Sequence, residues 1–414
     1  MSRPDISQFK AVAAAYKYML YLDSNGYNDQ FGRWNHLLMA GNQPVAVCEQ
    51  DTKSDWKRFK HDLDAHQNEL LPLFFTYDLK NCFEQLQSRH PALSGLPFAG
   101  AFLPEVISGQ GRKKEQLQKG DLPDSSNFKA SEPFPQIEIL PDTSRDQYKI
   151  QFEKIRQHLL RGDIYETNYC IRFSATVKNL DPIGLFERLN AQSPSPFACL
   201  MKWENSWLIC SSPERFFTRS GNTVISQPIK GTARRSGDPD LDQQTLDRLK
   251  VDPKERAENI MITDLVRNDL SHFALPGSVQ VKELCGIYPY NRVFQMISTV
   301  EARIEPDLPH TRFIETAFPM GSMTGVPKIS AMKIADQTET FRRELYSGTV
   351  GYLDGPNHCD FNVVIRSFLW NAETGLLSFS TGGAITIRSD ADQEYDECLL
   401  KAEALFQCLK EPKN

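Results

Sequence analysis

The order in which helical and strand-like periodicities follow one another constrains this chain most. From Ser144 onward Tyr148, Phe152, Ile155 and Leu159 recur at helical spacing, and Ser144 with Gln147 carries the signature of a capping box, so a helix is expected to end near Gly162. Strand-like stretches follow at 168–177, 198–210 and 215–225. A further pair, 367–371 and 376–381, flanks Ala-Glu-Thr-Gly, the turn signal of a hairpin. Helical patterns are interspersed at 182–191, 254–265, 311–317, 328–337 and 392–409. Strands and helices do not alternate one for one, which a doubly wound parallel sheet would need. The expected class is α+β, with large antiparallel β-sheets packed with surrounding helices. No internal repeat or low-complexity tract interrupts the pattern.

A polar stretch at 109–144 reads as a loop or linker and is the best candidate boundary. It divides an N-terminal segment, 1–144, from a core, 145–414, and the segment is expected to pack into the same unit. Composition sets the outer limits. With 47 Lys and Arg against 53 Asp and Glu the net charge is −6, which argues against nucleic-acid binding. Hydrophobic residues at 40% and charged residues at 24% are ordinary globular values. No run approaches the roughly 18 apolar residues of a membrane span, so no membrane association is expected. The N-terminus, Met-Ser-Arg-Pro-Asp-Ile, lacks an export signal, and a cytoplasmic location is expected. Nine cysteines are scattered singly with no Cys-x-x-Cys pair, which disfavours a disulfide framework or a thiolate zinc site. Free thiols among apolar neighbours behave as small core residues.

Several segments suit chemistry. In the last helix Glu394, Glu397 and Lys401 fall at i, i+3 and i+7, away from an apolar face of Tyr395, Cys398, Leu399, Ala402, Leu405 and Phe406. Two carboxylates and an amine in line suit a divalent metal and a substrate carboxylate, and equally a solvated face with a Glu-to-Lys pair. Glu255 and Glu258 repeat the i, i+3 spacing ahead of an apolar helix interior, where a buried carboxylate needs a partner or a metal. The two pairs together suit Mg²⁺, which takes one or two carboxylates with water and an anionic ligand. Lys230 is flanked by Pro228, Ile229 and Gly231, an environment that would desolvate the amine toward nucleophilic use or leave it a snorkelling surface lysine. Gly321 to Lys328 is a turn entering a helix, able to offer amides to an anion or to serve as a plain helix entry, and it lacks the residue order of a P-loop. Thr381-Gly382-Gly383-Ala384 leaves a strand on two glycines, which permits close approach to a ligand or a simple turn.

In chain order these segments resemble the chorismate-utilising enzyme family, which holds anthranilate, aminodeoxychorismate, isochorismate and salicylate synthases. The resemblance covers roughly residues 145–410. It rests on Gly162 to Asn168, Ser212-Pro213-Glu214-Arg215-Phe216, Pro228 to Thr232, Glu258 to Asp269, Gly321 to Lys328, Tyr346-Ser347-Gly348 with Gly351-Tyr352, Ile365-Arg366-Ser367, and the helix of Glu394 and Lys401. The N-terminal segment joins it more weakly through Phe74 to Asp78.

The resemblance implies a division of labour. Mg²⁺, held by Glu258 and Glu397 with Glu255 and Glu394 beside them, would take the ring carboxylate of chorismate. Arg366, Tyr346 and the amides around Gly382 and Gly383 would hold the enolpyruvyl carboxylate, with Lys401 adding positive charge and Thr324 contacting a substrate hydroxyl. Glu214 would be the general acid and Lys230 the nucleophile. Lys at position 230, where anthranilate, isochorismate and salicylate synthases typically have Ala, is the mark of aminodeoxychorismate synthase component I. Glu166 stands where isochorismate and salicylate synthases carry a Lys base and amino-transferring relatives usually have Gln. Gln295 replaces the His of anthranilate synthases, and the Leu-Leu-Glu-Ser segment of their tryptophan site is absent. The enzyme alternative is anthranilate synthase component I, and the non-enzyme alternative is a chorismate-binding relative that has lost catalysis. No glutaminase elbow with a Cys nucleophile is recognisable, so ammonia is expected from a glutamine amidotransferase subunit. A fused lyase is not expected, because the core ends a few residues before Asn414.

Overall fold

In the computed structural model, which describes residues 3–113, 115–129 and 136–410, period-two alternation decides the architecture. In the strand Tyr18–Asp23, Tyr18 and Leu20 enter one core and Met19 and Tyr21 another. Residues 198–201 divide in the same way, Cys199 and Met201 from Ala198 and Leu200, and in Leu70–Phe75 the residue Phe74 parts from Leu73 and Phe75. Strands apolar on both faces must be covered on both faces.

Among the described residues the strands form an eleven-stranded and a ten-stranded sheet, with antiparallel pairing throughout. Their inner faces meet through Leu20, Leu37, Met39 and Met201 against Phe74, Phe102, Val350 and Tyr352. Helices Arg145–Arg161, Pro182–Gln192 and Ala391–Cys408 cover the outer face of the larger sheet. Helices Lys53–Asp64, Pro253–Ser271 and His310–Ala317 cover that of the smaller. Each fully buried large apolar side chain contributes about 1.5–3 kcal/mol to such layers. The class is α+β, as expected from the unmatched order of elements.

Strands from before and after residue 144 share both sheets: Tyr18–Asp23 pairs with Phe197–Trp203, and Leu70–Phe75 with Thr349–Asp354. The polar stretch begins as structure, since Val106–Gly111 pairs with Gln116–Lys119 at the sheet edge. An edge strand facing solvent has a polar sequence, which periodicity reads as a loop. Residues 114 and 130–135 of that stretch lie outside the described residues.

The helix Arg145–Arg161 carries the full capping box at Ser144 and stops at Gly162 with φ +78°, a left-handed position that favours glycine. Two expected strands are hairpins. The stretch 198–210 is Phe197–Trp203 and Ser206–Ser212, and 215–225 is Arg215–Ser220 and Thr223–Gln227. The first turns on Glu204 at φ +53°, with no glycine to announce it. The strand Leu376–Thr386 also continues through Gly382 and Gly383 instead of ending there. All nine cysteines are free and buried. No helix among the described residues is long and apolar enough to cross a membrane.

Candidate active site

Two helix N-termini carry the glutamates. Asp252 caps Pro253–Ser271 by accepting from the amides of Lys254 and Glu255, which sets Glu255 and Glu258 on its first turns. Asn259 then pins this helix, its Nδ2 donating to the carbonyl oxygens of Lys230 and Met296, both at 3.1 Å. Asp390 caps Ala391–Cys408 in the same way. That helix lies against the strand Leu376–Thr386 at the two glycines. A Cβ on Gly383 would sit 3.0 Å from Glu394 Oε2 and 3.7 Å from Glu397 Oε1. Lys401 Nζ reaches Glu397 Oε1 at 2.7 Å and the Gly382 carbonyl at 2.9 Å.

The electrostatics tie the two helices together. Burial pushes the Glu258 carboxyl up to about 7, with Glu166 and Glu255 adding to the rise and Lys230 opposing it. Burial also raises Glu255 and Glu394, each further raised by Glu397. Glu397 is pushed up by burial too, but Lys401 outweighs that and holds it below the usual range. Among the described residues no three His, Cys, Asp or Glu side chains converge closely enough to hold an ion alone. Mg²⁺ asks for only one or two carboxylates, with water and an anionic ligand completing its shell. Four hard-oxygen donors, three of them raised by burial and mutual repulsion, fit that demand.

Lys230 lies where the strand Ile229–Arg234 slips register against Val293–Arg303, between Ile229 and Thr232. Gly231 follows at φ +97°, and a Cβ there would come within 3.2 Å of Glu255 Oε2. The irregularity coincides with an inward-turned lysine: Nζ donates to Glu166 Oε1 at 3.3 Å. Burial alone would lower its pKa, the effect that its apolar neighbours suggest. Glu166, Glu258 and Glu214 together outweigh burial and raise it above the ordinary lysine value.

Glu214 occupies the sharp connection between Ser206–Ser212 and Arg215–Ser220. Its amide donates to Ser212 Oγ, and its Oε1 accepts from the Ile229 amide at 3.4 Å. Burial pushes its carboxyl up to about 7. Next to it Arg215 donates to Asp29 and Asp360, which fixes this corner. Arg366, at φ +51°, has no hydrogen-bond or ion-pair partner for its guanidinium among the described residues. Burial lowers its pKa against the pull of Tyr290 and Glu214. An unpaired, desolvated guanidinium suits an incoming carboxylate.

The remaining expected residues lie at the edge of this group. The Tyr346 hydroxyl is buried 4.0 Å from Cys170 Sγ, and Cys170 faces Gly382 in register. The Thr324 hydroxyl donates within its own turn, to the carbonyls of Met320 and Gly321, so toward a ligand it is an acceptor. The turn Gly321–Met323 leads to Gly325–Val326, which pairs with Thr167 and Glu166. Lys328, which starts the next helix, is held by Asp269 at 2.7 Å.

Sequence reasoning left out Asn259 and the Glu339–Arg343 pair. A polar residue within an apolar helix stretch signals the first, and an i, i+4 acid–base spacing the second. Arg343 donates to the carbonyls of Asn168 and Met323, locking the strand Glu166–Thr176 to the Gly321–Met323 turn.

A family model described as chorismate binding enzyme matches residues 19–407. The chain is 36% identical over 305 residues to the chloroplastic aminodeoxychorismate synthase of Arabidopsis thaliana, covering 72% of this chain and spanning only 32% of that relative. It is 34% identical over 346 residues to aminodeoxychorismate synthase component 1 of Klebsiella aerogenes, covering 81% of this chain and 76% of the relative. The solved anthranilate synthase component I of Streptococcus pneumoniae superposes with a TM-score of 0.73 at 23% identity, over 81% of this chain and 80% of that one, a likeness of fold.

Proposed function

The chain belongs to the chorismate-binding enzymes, and from that premise we propose that it converts chorismate and ammonia to 4-amino-4-deoxychorismate, on the route to 4-aminobenzoate and folate. A glutamine amidotransferase supplies the ammonia. The observation that carries this reading is Lys230, a largely buried amine that donates to Glu166 and lies within the field of Glu214 and Glu258. The names of the relatives support it.

Chorismate is a dicarboxylate, and the site meets its charges separately. Arg366, whose guanidinium has no hydrogen bond or ion pair among the described residues, takes the enolpyruvyl carboxylate, with Tyr346 and the backbone at Gly382 and Gly383 beside it. Glu258 and Glu397, with Glu255 and Glu394, would hold Mg²⁺, which when bound supplies the positive charge that a ring carboxylate needs among glutamates. Lys230 forms a bond to C2 while the C4–O bond breaks and Glu214 protonates the departing hydroxyl, so that water leaves. Ammonia then adds at C4 and expels Lys230, and the proton left on the new amine returns to Glu214. Burial of Glu214 keeps a large fraction of it protonated near neutral pH, as a general acid requires.

The test is incubation with chorismate, ammonia and Mg²⁺, with and without aminodeoxychorismate lyase. Lyase-dependent 4-aminobenzoate is expected. Fluorescent anthranilate, or unchanged chorismate, would overturn the proposal.

A further inference from the structure

Glu166 is a buried acid held in place by backbone on both sides. It is 1% exposed, and its residue pairs with Val326 on one side of its strand and Thr386 on the other. One oxygen, Oε1, accepts from Lys230 Nζ at 3.3 Å, while Oε2 is buried with no hydrogen-bond partner among the described residues. A buried carboxylate that serves the scaffold has both oxygens bonded, as Glu339 has to Arg343. Among the described residues neither Glu166 nor Lys230 makes a hydrogen bond or ion pair with Glu255, Glu258, Glu394 or Glu397. Glu166 therefore bonds only to the amine within this group, and its second oxygen is left without a hydrogen bond.

We propose that Glu166 is the proton acceptor of Lys230, taking one proton from its ammonium to free the electron pair and holding that proton while the amine is bonded to substrate. This rests on the reading of Lys230 as nucleophile. The step balances within the pair. Ammonium and carboxylate become amine and carboxylic acid, with no change in their summed charge. The amine then forms the Nζ–C2 bond as the ring double bonds shift and the C4–O bond breaks, the hydroxyl leaving as water with the Glu214 proton. When ammonia adds at C4, Nζ departs as a neutral amine and recovers its proton from Glu166.

The consequence is a distinctive pH signature. A proton passed within the pair is not lost to solvent, so freeing the amine does not depend on pH until the pair itself deprotonates. Glu166→Gln keeps the shape but removes the acceptor, and Lys230, a weaker base once that neighbouring charge is gone, must then lose its proton to water. The groups facing Lys230 are Glu166 from its strand, Glu258 from the helix Pro253–Ser271, Glu214 from the corner before Arg215, and Glu397 from the helix Ala391–Cys408. All but Glu166 are common to wild type and variant, and ammonia titrates identically in both. The ratio of their turnover numbers therefore isolates Glu166.

The experiment measures kcat and KM for chorismate from pH 7 to 9, with saturating ammonium and Mg²⁺, in wild type, E166Q and E166D. E166Q is expected to turn over about 100-fold more slowly at pH 7, with KM within about threefold of wild type. Its ratio to wild type is expected to climb about tenfold per pH unit. E166D retains a carboxylate, so its ratio should stay flat at a reduced level. A flat E166Q ratio, or a rising E166D ratio, overturns the proposal, and the second holds even where E166Q fails to fold. Intact-mass analysis of Lys230→Ala with chorismate separates the underlying reading. An adduct in that variant would sink the nucleophile assignment itself, whereas no adduct beside a flat E166Q ratio would sink only the role of Glu166.

Discussion

Two buried acid–base pairs meet the same strand, Glu166–Thr176, within a few residues of each other, and they are bonded very differently. Glu339 and Arg343 are saturated. Arg343 Nε reaches both Glu339 oxygens at 3.1 and 2.9 Å, its Nη1 and Nη2 take the carbonyls of Met323 and Asn168, and Glu339 Oε1 also accepts the Cys170 amide. Glu166 and Lys230 share a single contact at 3.3 Å, with one carboxylate oxygen left over. The saturated pair keeps its charges whatever binds and acts as a clasp between strand and turn. The unsaturated pair holds a proton that can move. Lys230 is 13% exposed and the other three side chains at most 4%, so bonding more than depth separates scaffold from chemistry.

The comparison breaks most severely at the general acid, on the chemical side. Glu214→Gln should lower kcat by about 10²–10⁴-fold while urea denaturation shows stability within about 1 kcal/mol of wild type. Its carboxyl is pushed up to about 7 by burial. The acid form is the working form, so wild-type turnover should fall roughly tenfold per pH unit above about 7. In the variant the residual rate should lose that falling limb. A limb that persists in Glu214→Gln would assign the titration to another group.

On the scaffold side, Arg343→Leu leaves Glu339 buried without its partner and frees two backbone carbonyls. A loss of about 3–5 kcal/mol is expected by urea denaturation. Lys230→Met should cost far less, because its side chain gives up a single contact at 3.3 Å and frees no backbone carbonyl. Equal losses in the two variants would erase the distinction between the pairs.

Local signals were legible in the sequence, and convergent ones were not. The helix Arg145–Arg161 announces itself through apolar spacing, the Ser144 capping box and Gly162, all within one stretch of chain. The hairpin of Phe197–Trp203 and Ser206–Ser212 hides in a continuous apolar run, because its turn residue Glu204 adopts a positive φ without being glycine. Spacing alone gave two glutamate pairs but could not say that they face each other, since the helices bearing them lie more than a hundred residues apart in sequence. The resemblance to a family supplied that link. Glu339 and Arg343 look like a surface pair at i, i+4. Their burial depends on strand carbonyls far away in sequence, which no local pattern encodes. For Lys230 the apolar neighbours were visible and the opposing carboxylates were not, so the direction of its pKa shift had to come from the structure.

The smallest effects distinguish two adjacent glycines. A Cβ on Gly382 would meet the Tyr169 carbonyl oxygen at 2.7 Å and Cys170 Sγ at 2.6 Å, so backbone must yield. A Cβ on Gly383 would meet Glu394 Oε2 at 3.0 Å, the far end of a side chain that can rotate away. Gly382→Ala should therefore destabilise the fold by about 1–3 kcal/mol, as overpacking does, and keep its response to Mg²⁺. Gly383→Ala should fold with a loss below about 1 kcal/mol, but a rotated Glu394 no longer supports the ion. Its Mg²⁺ affinity should fall about 10-fold, as when a partner of a metal ligand is displaced. Thermal melts across a Mg²⁺ titration read both quantities, because an ion that binds only the folded state raises the midpoint according to its dissociation constant. If Gly382→Ala lost the Mg²⁺ response and Gly383→Ala kept it, the glutamates of Ala391–Cys408 would not be the ion's ligands. The carboxylates of Pro253–Ser271 would then have to hold it without them.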